Sequence, residues 1–346
     1  MTFRERIEAF WSGERPDTIP YSIYAWIHAS CSDDPAWAPM FDAGLGLTHH
    51  VFAYDMDLTG VEVIDTTTQE DGHTVRRLTY ATSVGSVTET CVDGWQGEHF
   101  LKTPEDYHTM AHIVDATGVT PRPERMADRI AACGDHEVVW SCLKRTPYQR
   151  MLVDLAGVGE FPFHLADFPD DVRVLYDALY RQFRKRTAIV AESPGRFVHF
   201  GENFNANAIG PVRYEKFILP VYEECMGILH DAGKVTGAHY DGRTANCADV
   251  IARGPLDLLE SFTEPPEGDL TFADARALWP DKLFWANIGL SDYALPADEL
   301  RQRVRDLVSA AAPDGRRLAF EVSENLPDNW RDAMPIILDT LNSLLA

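Results

Sequence analysis

The sequence predicts a single α/β domain built as a (β/α)8 barrel, with a β-hairpin insertion in its N-terminal third. Three observations lead there. From Asp135 onward, runs of about four apolar residues alternate with longer amphipathic stretches, the pattern of a parallel sheet wrapped by helices. Each apolar run ends in a polar or carboxylate residue, as barrel strands do where their carboxyl ends line an active site. No fixed-period repeat, low-complexity tract or Pro/Gly/Ser linker interrupts the chain, so residues 1–346 read as one domain.

The elements follow in order. The opening MTFRERIEAF is charged and helical, and that helix ends at Gly13. Residues 19–26 form a first buried strand. His49 and His50 are read as lying on a helix, facing different directions, and Tyr54, Asp55, Met56 and Asp57 as the end of the next strand. Between about residues 61 and 100 the texture changes. VEVIDTTTQEDGHTVRRLTYATSVGSVTETCVDG alternates β-branched and polar residues around Asp71-Gly72 and Gly85, which is hairpin chemistry with a Thr-rich, charged outer face. Strands are then expected over 136–143, 196–203, 234–241, 256–262, 282–289 and 317–324. Helices fit between them over 170–192, 212–232, 243–253, 271–279 and 297–311.

Charge and composition exclude several functions. With 31 Lys and Arg against 54 Asp and Glu, the net charge is −23, which repels phosphate backbones and anionic lipid. No basic run offsets it, so nucleic acid and membrane surfaces are excluded as partners. A hydrophobic content of 45% is too high for a disordered chain. The charged start is no apolar signal segment, and no stretch approaches the roughly 18 apolar residues of a membrane span, so a cytoplasmic protein is expected. Cys31, Cys91, Cys133, Cys142, Cys225 and Cys247 are scattered without a CxxC pair and read as mostly buried thiols rather than a disulfide frame or zinc knuckle.

The expected strand ends bring together Ser141, His199, Glu202, Asn203, His239, Asp241, Glu260, Asn287, Glu321 and Glu324. The sharpest local feature is Gly237-Ala238-His239-Tyr240-Asp241-Gly242. Residues i and i+2 at a strand end project to the same side, so His239 and Asp241 can converge on one atom. Such a pair can ligate a metal or act as an oriented base, and Asp241 can equally serve as the N-cap of the next helix. Several carboxylates buried together need protons or a cation, and His plus carboxylates suits zinc or another N/O-preferring ion. Pairing with Arg196, Arg213 or Arg243 is the competing explanation. No GxGxxG, Walker loop, GxSxG or HExxH occurs, so nucleotide and serine-hydrolase chemistry has no motif support.

The stretch GENFNANAIGPVRYEKFILPVYEECMGILHDAGKVTGAHYDG, followed by LDLLESFTEPPEGDL, LFWANIG and FEVSENLPDNW, resembles the uroporphyrinogen decarboxylase superfamily. That superfamily also holds the zinc methyltransferases that demethylate methylcobamide proteins. The resemblance covers most of the chain and is densest from about residue 194 to 330. It implies one distorted (β/α)8 barrel. The arginine motif by which true uroporphyrinogen decarboxylases grip tetrapyrrole propionates is absent, since the matching region reads ERPDTIPYSIYAWIHAS, so porphyrinogen decarboxylation is not expected. Where the methyltransferase branch carries H-x-C and a later Cys as zinc ligands, this chain has His239, Asp241 and, near the second Cys, Glu321. The resemblance thus implies a methyltransferase or demethylase of a small methylated substrate, with Zn²⁺ or another divalent ion on His239, Asp241 and Glu321. The methyl acceptor would be a corrinoid protein or a pterin such as folate, and pairing into a homodimer is expected. Glu202 or Glu324 would be the acid or base, Asn203 and Asn287 would position substrate, and Trp26, Trp140, Tyr240 and Trp285 would line the pocket. Two alternatives stay open. One is a metal-free decarboxylase or lyase, with Arg145, Arg213 or Arg243 binding a carboxylate and Asp241 protonating a carbanion. The other is a non-catalytic binding barrel.

Overall fold

The computed structural model describes residues 1–344. It contains a closed barrel of eight parallel strands with helices between them, as the sequence predicts. In chain order the strands are β1 (Tyr21–Tyr24), β2 (Leu45–Val51), β3 (Tyr54–Asp57), β4 (Glu62–Glu70), β5 (His73–Thr82), β6 (Gly85–Val92), β7 (Trp95–Glu98), β8 (Gly118–Pro121), β9 (Glu137–Leu143), β10 (Phe197–Phe200), β11 (Val235–His239), β12 (Leu258–Phe262), β13 (Leu283–Asn287) and β14 (Leu318–Glu321). The barrel order is β1-β14-β13-β12-β11-β10-β9-β2, with β2 closing on β1. No described helix is long and apolar enough to cross a membrane.

The chain divides into two compact units. The barrel unit takes Met1–Ala53, Pro123–Lys144 and the described residues from Val190 on. The second unit takes Tyr54–Arg122 and Arg145–Ile189. It holds β4–β7, an antiparallel four-stranded sheet, and the antiparallel pair β3–β8. The expected hairpin is therefore a larger meander. Its tight turns are Asp71-Gly72 (φ 49° and 86°) and Asp93-Gly94 (φ 52° and 85°), where two consecutive left-handed residues match the right-handed strand twist. β4 is exposed along its whole length, as its Thr-rich composition requires.

Two expectations for the N-terminal third change. The first strand stops at Tyr24, and Ala25–Ala29 turns into a short helix. His49 and His50 lie on β2, not on a helix. The run Leu45–Val51 is read by its tertiary partners: β2 pairs with β1 on one side and β9 on the other, which overrides its weak local pattern. Strand alternation then sends the two imidazoles to opposite faces.

The lower barrel is closed by aromatic packing. Helix α1 (Phe3–Trp11) is fixed by a Thr2/Glu5 capping box and buries Phe3, Ile7, Phe10 and Trp11. Phe10 meets Trp285 edge-on at 5.7 Å, and Trp11 stacks on Phe197 at 5.6 Å. The Phe3 ring lies so close to Gly46 that a Cβ there would come within 2.2 Å of it. Trp140 and Trp285 meet at 4.7 Å, both fully buried, and Trp285 Nε1 donates to Ser22 Oγ at 3.0 Å. Trp140 and Trp285, expected to line a substrate pocket, are fully buried and form a hydrophobic floor across the barrel centre. Of the cysteines, Cys142, Cys225 and Cys247 are buried, whereas Cys31, Cys91 and Cys133 are partly exposed, and all are free thiols.

Trp285→Ala is expected to cost about 3–5 kcal/mol, because it opens a cavity at the centre of the floor and removes the donor to Ser22 Oγ. Urea unfolding followed by far-ultraviolet circular dichroism measures it. A loss below about 1 kcal/mol would mean that the floor is not packed as described.

Candidate active site

Above the Trp140–Trp285 floor, the carboxyl ends of the strands carry a polar layer. Trp140 marks the boundary, with Tyr24 at 6.0 Å, His50 at 4.8 Å and His199 at 5.2 Å from its ring. The register of β11 on β12 sets His239 beside Glu260. Glu260 is fully buried. Its Oε2 accepts from His199 Nε2 at 2.9 Å and His239 Nδ1 at 2.7 Å, and its Oε1 accepts a short bond from the Tyr24 hydroxyl. Burial alone would raise the Glu260 pKa, but the two imidazoles outweigh it and hold the carboxyl well below its ordinary range.

Glu321, on β14, is the counterpart. Its Oε1 lies 3.4 Å from the Tyr24 hydroxyl and 3.3 Å from Ser261 Oγ, while its fully buried Oε2 makes no hydrogen bond. Burial first, and then the adjacent Glu260 charge, push its pKa well above the carboxylate range. Two carboxyls this close cannot both ionise, and the environment assigns the charge to Glu260 and the proton to Glu321. Ser261, at φ 59°, sits at an irregularity in the β12–β13 register that turns its hydroxyl toward both carboxyls.

His239 presents the open valence. Because Nδ1 is bonded to Glu260, the tautomer and ring orientation are fixed, and Nε2 faces the barrel mouth. That atom is buried and makes no hydrogen bond. The carboxylate oxygens beside it are Asp241 Oδ2 at 3.5 Å and Glu324 Oε1 at 3.8 Å. Burial alone would lower the His239 pKa, yet Glu260 and Asp241 together hold it well above the ordinary histidine value. A site that draws a proton onto a buried imidazole stabilises positive charge there, and a cation competes for the same lone pair. His239 Nε2 with the Asp241 and Glu324 carboxylates is a nitrogen and oxygen set of the kind divalent ions take, although its three ligand atoms do not all lie within 4.8 Å of one another. Glu321, expected as the third ligand, is instead held among Glu260, Tyr24 and Ser261.

Among the described residues, three tighter groups have ligand atoms within 4.8 Å of one another: His199/His239/Glu260, His50/Cys142/His199 and His49/Cys133/Glu137. In the first, Glu260 already bonds both imidazoles. In the third, Arg129 Nη2 takes the place of an ion, 2.6 Å from His49 Nε2 and 3.0 Å from Glu137 Oε1. In the second, burial pushes the Cys142 thiol up to about 12, against the thiolate that a metal needs.

The remaining candidates fall into distinct places. Asp241 is part-exposed at the mouth and Glu324 is half-exposed. Trp26 is 55% exposed and stacks on Tyr24, with centroids 5.7 Å apart. Asn287 is buried, and its Nδ2 donates to Ser261 O and Thr263 Oγ1, both at 3.3 Å. Asn203 is exposed in the loop after β10 at φ 48°. Glu202 and Tyr240 lie together among phenols: Tyr222 donates to Glu202 Oε1, and Tyr240 is stacked on Phe204. Arg145 is paired with Asp154 at 2.9 Å, and Arg213 and Arg243 are exposed. Sequence reasoning missed Tyr24 and His50 as members of this layer and took Glu260 only as one acid among several. The IYAW and LTHHV segments offer no chemical signature, and the strand register alone brings them in.

No protein-family model matches the sequence, and no curated protein matches it. Among solved structures, a methyltransferase from Methanosarcina mazei aligns over 100% of both chains with a TM-score of 0.60 at 11% identity. A B12-independent methionine synthase from a Shewanella species, in complex with selenomethionine, aligns over 89% of this chain and 82% of its own, with a TM-score of 0.40 at 10% identity. What is shared with the first is the fold. At 11% identity the alignment extends to architecture and strand order, and the chemistry of the site rests on the residues of this chain.

His50 supplies a pH test of this layer. Burial, followed by the neighbouring His199, drives its pKa down to about 3. Its folded value lies below the unfolded value of about 6.5, so its contribution to stability is present above pH 6.5 and is lost as pH falls from there toward 3. Relative to His50→Gln, the wild-type protein should lose roughly 2 kcal/mol between pH 6.5 and 5. Urea unfolding at the two pH values reads the difference. An unchanged gap between the two proteins would show that His50 is not buried in its neutral form.

Proposed function

We propose that this protein is a metal-assisted methyltransferase or demethylase acting on a small methylated substrate at the carboxyl-terminal mouth of the barrel. The observation that carries the reading is His239: its Nδ1 is committed to buried Glu260, and its buried Nε2, with no close hydrogen bond, faces the Asp241 and Glu324 carboxylates at ion-pair distance. His239, Asp241 and Glu324 would hold a divalent ion such as Zn²⁺. When bound, that ion supplies Lewis-acid polarisation of a substrate heteroatom, making it a better leaving group. The methyltransferase fold neighbour supports the same class of reaction, and the family resemblance makes a corrinoid protein or a pterin the acceptor we assign.

The chain's own residues divide the remaining work. Glu260 orients His239 and, with Tyr24, carries the negative charge of the layer in a fixed place. Glu321, kept protonated by burial and by Glu260, is the acid with a free oxygen, Oε2, from which a proton can pass to the departing heteroatom. Trp140 and Trp285 exclude water from below, and the exposed face of Trp26 offers a shelf at the rim.

Metal analysis of purified protein tests the reading. Wild type should retain about one divalent ion per chain, and His239→Ala and Asp241→Ala should each lose it, since removing one ligand of a three-ligand site typically abolishes tight binding. Equal, substoichiometric metal in all three proteins would remove the ion from the account. With the ion present, methyl transfer from N-, O- and S-methyl donors to a reduced corrinoid or a pterin identifies the donor class, and Glu321→Gln should reduce the rate by about 10²–10⁴ if it is the acid.

A further inference from the structure

The segment that carries Asp241 is held by contacts that none of the chemistry above uses. The loop after β10 and the loop after β11 run side by side: Phe204 N–H donates to His239 O at 3.2 Å, and Ala206 N–H donates to Arg243 O at 2.7 Å. The Phe204 ring stacks on Tyr240, with centroids 4.2 Å apart and planes 13° from parallel. Gly242 makes this approach possible, because a Cβ there would lie 2.5 Å from Phe204 O. On the far side, Thr244 and Ala245 N–H both donate to Asp269 Oδ1, at 2.7 and 3.0 Å.

Tyr240 is the pivot. It stands between His239 and Asp241 in sequence, and its hydroxyl belongs to a buried chain of phenols. Tyr222 donates to Glu202 Oε1 at 3.1 Å, Tyr222 and Tyr240 hydroxyls are 3.3 Å apart, and Tyr240 and Tyr214 hydroxyls are 3.2 Å apart. The carboxylate end gives the chain a direction. With its proton committed to Glu202, Tyr222 can only accept from Tyr240, and Tyr240 then accepts from Tyr214. Burial keeps all three phenols protonated, so each retains its single donor. Neighbouring side chains in an extended segment face opposite ways. Fixing Tyr240 among the phenols therefore fixes His239 and Asp241 toward the mouth, 3.5 Å apart.

We infer that the Glu202–Tyr222–Tyr240–Tyr214 chain is a positioning device that presents His239 and Asp241 as a pre-set pair. Glu202, Tyr222 and Tyr240 are then positioning residues that act through Asp241, without touching substrate. The inference rests on the metal reading above for its main readout, and it makes a separate structural claim about Asp241. Pre-orientation of this kind matters for metal affinity because an unanchored Asp241 would have to be ordered at the moment of binding.

The test titrates the full chain with Co²⁺ and follows its visible absorption. Removing a positioning partner typically costs 10- to 100-fold in metal affinity, so Tyr240→Phe, Tyr222→Phe and Glu202→Leu should each bind Co²⁺ that much more weakly and with an altered spectrum. Glu202→Gln keeps an acceptor for Tyr222 and should restore near wild-type affinity and spectrum. If Glu202→Leu fails to fold, Tyr240→Phe decides, since it deletes one oxygen and keeps the stack on Phe204. A folded Tyr240→Phe protein with wild-type Co²⁺ affinity and spectrum overturns the inference. If wild type takes up no Co²⁺, the metal reading fails separately, and the ¹H–¹⁵N imidazole signals of His239 decide the positioning claim. Displacement of those signals in Tyr240→Phe supports it, and unchanged signals overturn it.

Discussion

A single buried carboxylate organises the upper barrel. Glu260 has no exposed surface, and its two oxygens are shared among His199, His239 and Tyr24, so an ionised group sits in the interior with its charge answered on every side. Left with fewer partners, such a charge would cost several kcal/mol. Three consequences follow from satisfying it. His239 is locked in one tautomer with its second nitrogen outward, Glu321 is forced to keep its proton, and Tyr24 is drawn from β1 across to β12. The polar layer is thus one coupled unit, and a change at Glu260 should be felt at each of the other positions.

The layer needs a dry base, and the sequence supplies it with tryptophan. Trp140 and Trp285 fill the barrel centre where smaller aliphatic residues would otherwise stack in layers, and α1 closes the opening below with Phe10 and Trp11. The low-dielectric floor is what makes the pKa separation of Glu260 and Glu321 possible, because neither carboxyl reaches water from beneath. The net charge of −23 belongs mainly to the exterior, yet a few of those carboxylates stand at the mouth and in the layer, where protons, imidazoles or a cation must answer them.

Much of this architecture was legible in the chain. The alternation of short apolar runs with amphipathic stretches after Asp135 gave six barrel strands to within a few residues, and Asp71-Gly72 marked a true hairpin. The H-x-D spacing correctly marked His239 and Asp241 as near neighbours, because strand alternation is a local rule. What escaped was set by register between strands distant in sequence. Tyr24 lies 236 residues from Glu260, and no local pattern announces their bond. The same limit explains Glu202. Read as the polar end of a strand, it stands in the loop beyond β10, where its carboxylate meets Tyr222 from the helix Leu219–Asp231. His49 and His50 were misread because the run LGLTHHV has a weak local strand pattern, and its strand identity comes from pairing on both sides.

On the proposed function, His239 Nε2 is a ligand nitrogen held ready by Glu260. Anomalous diffraction from a crystal of the protein grown with Zn²⁺, collected on either side of the zinc edge, measures it most directly. One strong peak is expected about 2.0–2.2 Å from His239 Nε2, within bonding distance of the Asp241 and Glu324 carboxylates, with Glu260 still bonded to Nδ1. A peak between His199 Nε2 and His239 Nδ1 with Glu260 as a ligand, or no peak at the barrel mouth, would contradict it.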